Sequence, residues 1–198
     1  MMSVATTRRS RLTPEREAEL YEAVLQLLRE VGYDALTMDA VAAATRSSKA
    51  TLYRQWGSKA ELVARALKHG KPGPEPAAVD TGSLRGDLME LIVRGFDDSR
   101  IEQDAALMRG VGRAAHDNPD LLRALREVLI EPGLADLRVL LDRAVERGEI
   151  RADNPALDFV PHMLIGALIS GELIEEKPVT QAFLVGYFDA VVLPALRA

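Results

Sequence analysis

The stretch from Thr37 to Trp56, TMDAVAAATRSSKATLYRQW, leaves this chain few ways to fold. It has room for two short helices and a tight polar turn between them. Thr37 is placed to cap the first, whose inward residues are Met38, Val41 and Ala42. The second opens at Ser48. Turning about 100° per residue from Leu52, Trp56 and Ser48 fall beside it. Ala50 and Arg54 fall opposite, Thr51 and Tyr53 flank them, and Lys49 stands at the N-terminal end. A rod anchored on one side, with hydroxyls, a cation and a small residue on the other, has the chemistry of a helix lying in a DNA groove.

The flanking sequence supports that placement. Thr13-Pro14 starts a first helix, with Leu20, Val24, Leu27, Leu28 and Val31 at helical spacing and Gly32 as its stop. Ser58 with Glu61 spells a capping box for a fourth helix ending near Gly70. The residues proposed to meet DNA are Thr37, Arg46, Ser47, Ser48, Lys49, Ala50, Thr51, Tyr53, Arg54 and Lys59. Thr37 and Lys59 stand at helix starts, where free N–H groups favour a phosphate. Arg8, Arg9 and Arg11 could form an arm along the backbone or in the minor groove. Any single basic residue here has a bland explanation as surface decoration; the joint pattern is harder to dismiss.

Charge is divided unevenly. The net charge is −5, yet up to Gly70 there are 11 Lys/Arg against 8 Asp/Glu. A mildly basic head on an acidic body is a weak sign of a polyanion partner. There is no cysteine, which removes disulfides, thiolate zinc sites and a cysteine nucleophile, and fits a reducing cytoplasm. No apolar run approaches the roughly 20 residues that a membrane helix needs. The N-terminus does not read as a signal peptide.

Nearly everything else reads as helix. KPGPEPAAVDTG, residues 71–82, is the clear loop, and either separates two domains or runs over one continuous body. Beyond it, helices are expected at about Ser83–Asp98, Glu102–His116, Pro119–Arg147, Pro155–Gly171 and Val179–Leu196. Pro132-Gly133 should break or kink the third of these, and Pro161 should bend the fourth. The predicted fold is all-α: an N-terminal three-helix helix-turn-helix DNA-binding domain (residues 1–57, with 58–70 connecting) and a C-terminal helical bundle (71–198) for ligand binding and dimerisation.

YEAVLQLLREVGYDALTMDAVAAATRSSKATLYRQWGSKAELV strongly resembles the DNA-binding region of TetR-family transcriptional regulators, over about Leu20 to Ala66. Gly32-Tyr33, Thr37, Ser48-Lys49, Thr51-Leu52-Tyr53, Trp56 and Lys59 carry the match. It departs in the turn, where Arg46 and Ser47 replace the usual Gly and apolar residue, and at Ala50, often Gly. The resemblance implies an all-helical homodimer whose C-terminal domain binds a small molecule.

The body has no catalytic signature, and no cofactor or metal is expected. Gly110-Val-Gly112 matches a dinucleotide fingerprint in spelling only, because no strand precedes it. Met89, Phe96, Met108, His116, Phe159, His162 and Met163 are candidate walls of an apolar effector pocket, each also explicable as ordinary core. Leu164, Ala167, Leu168, Phe183, Phe188 and Val192, on the final two helices, are the dimer candidates. The sequence thus points to a repressor released from palindromic double-stranded operator DNA by a small, apolar effector, without membrane partners. The alternatives are a helical ligand carrier or enzyme with a vestigial helix-turn-helix, and a constitutive regulator or activator without effector.

Overall fold

The computed structural model describes residues 13–71 and 74–197, and among them there is helix and no strand. Four helices form the head: α1 (Pro14–Ala35), α2 (Met38–Ala44), α3 (Lys49–Trp56) and α4 (Lys59–Gly70). Each starts where a hydroxyl takes up an otherwise unpaired N–H. Thr13 accepts from Arg16, Thr37 from Ala40, Ser48 from Thr51 and Ser58 from Glu61. Gly32, at φ 73°, breaks the regular course of α1, and Tyr33 then turns into the core.

The body contains α5 (Leu84–Gly95), α6 (Ile101–Asp117), α7 (Pro119–Leu125), α8 (Glu131–Glu146), α9 (Val160–Glu175), α10 (Gln181–Tyr187) and α11 (Leu193–Arg197). Two apolar cores divide the molecule, and the division does not follow the loop. The first joins α1–α4 with Val111, Ala114 and Ala115 of α6 and Leu121, Ala124 and Leu125 of α7. The second is built from α5 and α8–α11. Thus α4 packs on α7, and α1 lies along α6.

Prolines act differently from the expected breaks. Between α7 and α8 the chain stays helical through a wide turn, Arg126–Ile130, in which the Glu131 N–H reaches the Arg126 carbonyl. The same widening, Phe188–Val192, precedes Pro194, with Leu193 N–H on the Phe188 carbonyl. An added residue per turn lets a helix pass a proline that has no N–H to give. Pro161 lies in the first turn of α9, where a missing N–H costs nothing, so it starts that helix. Pro155 opens a separate short 3₁₀ turn, Pro155–Phe159.

The loop after α4 is pinned to α8. Arg143 donates to the carbonyls of Val79 (2.8 Å) and Ala77. Asp87 is 0% exposed and would be costly if unpaired. It accepts from the Thr81 N–H (2.6 Å), the Thr81 hydroxyl (2.7 Å) and Arg147 (3.1 Å). Arg147 also holds Glu149 at 2.7 Å, whose carboxylate accepts the Leu84 N–H at the start of α5.

Candidate nucleic-acid interface

The turn before α3 is a tight helix stop. The Ser47 N–H returns to the Ala42 carbonyl (3.0 Å) and the Arg46 N–H to that of Ala43 (3.3 Å). This pairing needs a left-handed residue, and Arg46 supplies it at φ 50°. Glycine adopts that conformation without penalty, so Arg46 holds it at a steric cost. The Thr45 carbonyl in the same turn accepts from the Arg16 guanidinium and from the Ser47 hydroxyl (3.3 Å).

α3 is fixed from beneath. Leu52 and Trp56 are buried in the first core. The Trp56 indole N–H donates to the Tyr21 phenol at 3.0 Å, and the phenol donates to Glu17 at 3.0 Å. The rings of Tyr21 and Trp56 meet edge to face, 6.0 Å apart. Burial raises the Tyr21 pKa above the usual phenol value, so the phenol keeps the proton it gives to Glu17. Gly57, at φ 76°, ends the helix.

The outer side faces solvent. Thr37, Arg46, Ser48, Lys49, Ala50, Tyr53 and Arg54 are exposed, and Ser47, Thr51 and Lys59 are half-buried. Ser48 and Thr51 share one proton across 2.8 Å, so the pair keeps a second for an outside acceptor. Lys49 is engaged sideways: its ammonium lies 2.8 Å from Asp39, and that hydrogen bond raises its pKa. Lys59 turns inward. It donates to the carbonyls of Tyr33 (2.9 Å) and Leu36 (3.0 Å) and sits 4.1 Å from the centre of the Tyr33 ring. Burial lowers its pKa, and one N–H remains for a phosphate. Three contributors escaped the sequence reading: Arg16 on the turn, Asp39 on Lys49 and Tyr21 under Trp56. Each acts across at least ten residues, and no local spacing announces that. The expected arm Arg8, Arg9 and Arg11 lies outside the described residues.

The structure does not gather the expected effector-pocket residues around one cavity. Met89, Phe96 and Met163 pack on the second core. Met108 and His116 are exposed on α6, and Phe159 and His162 are exposed neighbours with rings 6.2 Å apart. Hollows among the described residues stand elsewhere. One, about 350 Å³, lies between the end of α9 and the start of α10, by Gly171, Val179 and Phe183. Another, about 540 Å³, lies between α1 and α6. No cluster able to hold a metal occurs among the described residues.

The dimer candidates also separate. Phe188 and Val192 are 6% and 0% exposed inside their own protomer and offer nothing to a second copy. Ala167 is buried, Leu164 and Phe183 are half-buried, and Leu168 is exposed. The open apolar stripe is instead Ile165, Ile169 and Leu173 of α9, at 48%, 69% and 80% exposure. Pro155–Glu175 spans 21 residues and holds an 18-residue window of mean hydropathy 1.4, long and apolar enough to cross a membrane by length and composition alone; Asp158 and Glu172 interrupt its apolar sequence.

Residues 20–66 match the family described as bacterial regulatory proteins, tetR family, and residues 78–191 match the tetracyclin repressor-like C-terminal domain. An uncharacterised HTH-type transcriptional regulator of Mycobacterium tuberculosis is 41% identical over 186 residues, covering 91% of this chain and 88% of its own. A protein named DNA-binding transcriptional repressor TetR, from Mycobacteroides abscessus, is 34% identical, with 92% and 94% covered. A crystallised TetR family transcription regulator, SCO0332, superposes with a TM-score of 0.67 at 29% identity, covering 91% of this chain and 98% of that one.

Proposed function

The chain belongs to the TetR family of transcriptional regulators, and from that premise we propose that it is a homodimeric repressor released from palindromic operator DNA by a small molecule. The observation that carries this reading is the outer side of α3. Ala50 lets the backbone approach base edges, Arg54 reaches guanine or phosphate, and Tyr53, Thr51 and Ser48 donate to phosphate oxygens. The apolar stripe of α9 meets its copy in a second protomer. A two-fold pair then presents two α3 rods to half-sites one turn of duplex apart, about 34–36 Å. Residues 1–57 act as the DNA-binding part, 58–70 as the connection, and 71–198 as the part that senses and pairs. Such a protein works where the DNA is, in the cytoplasm.

The test is a mobility-shift titration on the DNA upstream of the chain's own reading frame. The native protein shifts it as a dimer. Arg54→Ala weakens binding by about 1–3 kcal/mol if it reads a base, and Lys49→Ala lowers the salt slope by about 1 if it meets a phosphate. Binding that ignores both substitutions, or no shift on any palindromic upstream segment, refutes the reading.

A further inference from the structure

The hollow between α1 and α6 joins the head directly to the body. Its walls are two facing helical stripes, one through Gln26, Arg29 and Tyr33, the other through Gln103, Leu107 and Gly110. At about 540 Å³ it lies within the size range of small-molecule sites. On the α6 side the space reaches Gly110, where a Cβ built on the backbone meets nothing within 4 Å. The wall also holds an unmet polar group. Arg29 Nε is buried and is the one such side-chain atom without a hydrogen-bond partner among the described residues. Its terminal nitrogen is only loosely paired, 3.7 Å from Asp104. Buried donors are almost always satisfied, so this orphan, closed off in the present rotamer of a wall residue, calls for an acceptor that it meets when the side chain turns.

The surrounding charges restrict what that acceptor belongs to. Glu30, which accepts from Gln26 at 2.7 Å, and Asp104 stand beside the arginine and disfavour an anion. Arg29, together with Arg100 at 4.0 Å from Asp104, disfavours a cation. Tyr33 and Leu107 supply apolar contact. We propose that the α1–α6 hollow is a binding site for an uncharged small molecule with apolar rings and a carbonyl-type acceptor, which the Arg29 Nε–H takes when its side chain turns from Asp104. An occupant wedges α1 from α6, and operator affinity changes because the two helices belong to the DNA-holding head and the body. That consequence rests on the regulator reading; the binding itself does not.

The probe pair is benzophenone and diphenylmethane, which differ by the carbonyl. In the full-length protein, benzophenone should move the Arg29 Nε–H signal in a ¹⁵N-correlated spectrum and weaken promoter binding by about five-fold or more. Diphenylmethane should bind at least about ten-fold more weakly. Ala106 also lines the hollow on α6; Gly110→Leu and, separately, Ala106→Leu fill it from that side, and both should keep native helical content in circular dichroism and lose the benzophenone response. An Arg29 signal that benzophenone leaves unmoved overturns the proposal, as does a response that survives in both filled variants. If no protein binds the DNA, the regulator reading fails, and the Arg29 signal still decides the site.

Discussion

α3 and α9 each carry exposed apolar or aromatic side chains, yet they stand in different conditions. α3 has eight residues, a Ser48 cap and two buried anchors, Leu52 and Trp56, the latter tied to Tyr21. Its outer side is hydroxyl, cation and amide, and is stable against water alone. α9 has 16 residues, with Val160, Ala167 and Gly171 buried. A Cβ on Gly171 would meet Val179 at 2.8 Å, so that face is already closed by its own protomer. The other face, Ile165, Ile169 and Leu173, is left uncovered. A finished surface advertises what it binds in its own residues. An unfinished one says only that something apolar covers it.

The largest effect is expected where the surface is unfinished. If α9 pairs with its copy, Leu173→Asp places a charge in the seam of both protomers. An unpaired buried charge costs about 3 kcal/mol or more, which is about 100-fold or more in the dimer dissociation constant. Light scattering at micromolar concentration should give a monomer, while the helical content of the head is unchanged. A dimer of native affinity would show that α9 is covered by something else, and the contrast with α3 would need another explanation.

A smaller effect is expected beneath α3. Tyr21→Phe leaves the Trp56 indole N–H buried without an acceptor, which costs about 1–3 kcal/mol. The pH dependence separates this from a packing loss. Burial raises the Tyr21 pKa, so the folded state favours the protonated phenol. That contribution is present in full below about pH 10 and is lost as pH rises through the raised value. The stability difference between native and variant chains should therefore narrow at alkaline pH. A difference that stays constant in chemical denaturation from pH 8 to 11 would assign it to packing alone.

The contrast between the two helices also explains what the sequence could disclose. Thr13, Thr37, Ser48 and Ser58 each cap a helix through a bond to the third residue on, so local spacing reveals them. The outward face of α3 follows from Leu52 by rotation alone. The employment of Lys59 does not, because its two carbonyls, of Leu36 just past α1 and Tyr33 in its last turn, lie 23 and 26 residues away. Nor does the competition of Asp39 for Lys49. In the body, methionines and aromatics signal apolar surroundings but not which hollow they face. Met163 therefore packs on the second core while Met108 stands exposed on α6, despite equal claims to one pocket. Pro132 and Pro161 were expected to distort helices. One is passed by a wide turn and the other opens a helix, outcomes set by register rather than residue type.

The smallest effect tests whether α3 is aimed by its turn or by its anchors. Arg46 carries a left-handed backbone, a cost of about 1–2 kcal/mol for a residue with a Cβ. Arg46→Gly removes that cost but gives back about 0.5–1 kcal/mol through the freer unfolded chain, so stability should rise by about 1 kcal/mol or less. The same change removes a cation beside the duplex, and the salt slope of binding should fall by about 1 if Arg46 meets a phosphate. Arg46→Lys keeps both charge and strain, and should leave stability and salt slope nearly native. Since Leu52 and Trp56 already hold α3, relaxing the turn should not alter which operator bases are preferred. A Gly variant that gains stability yet loses sequence preference, with Lys unaffected, would show that the strained turn itself sets the angle at which α3 enters the groove.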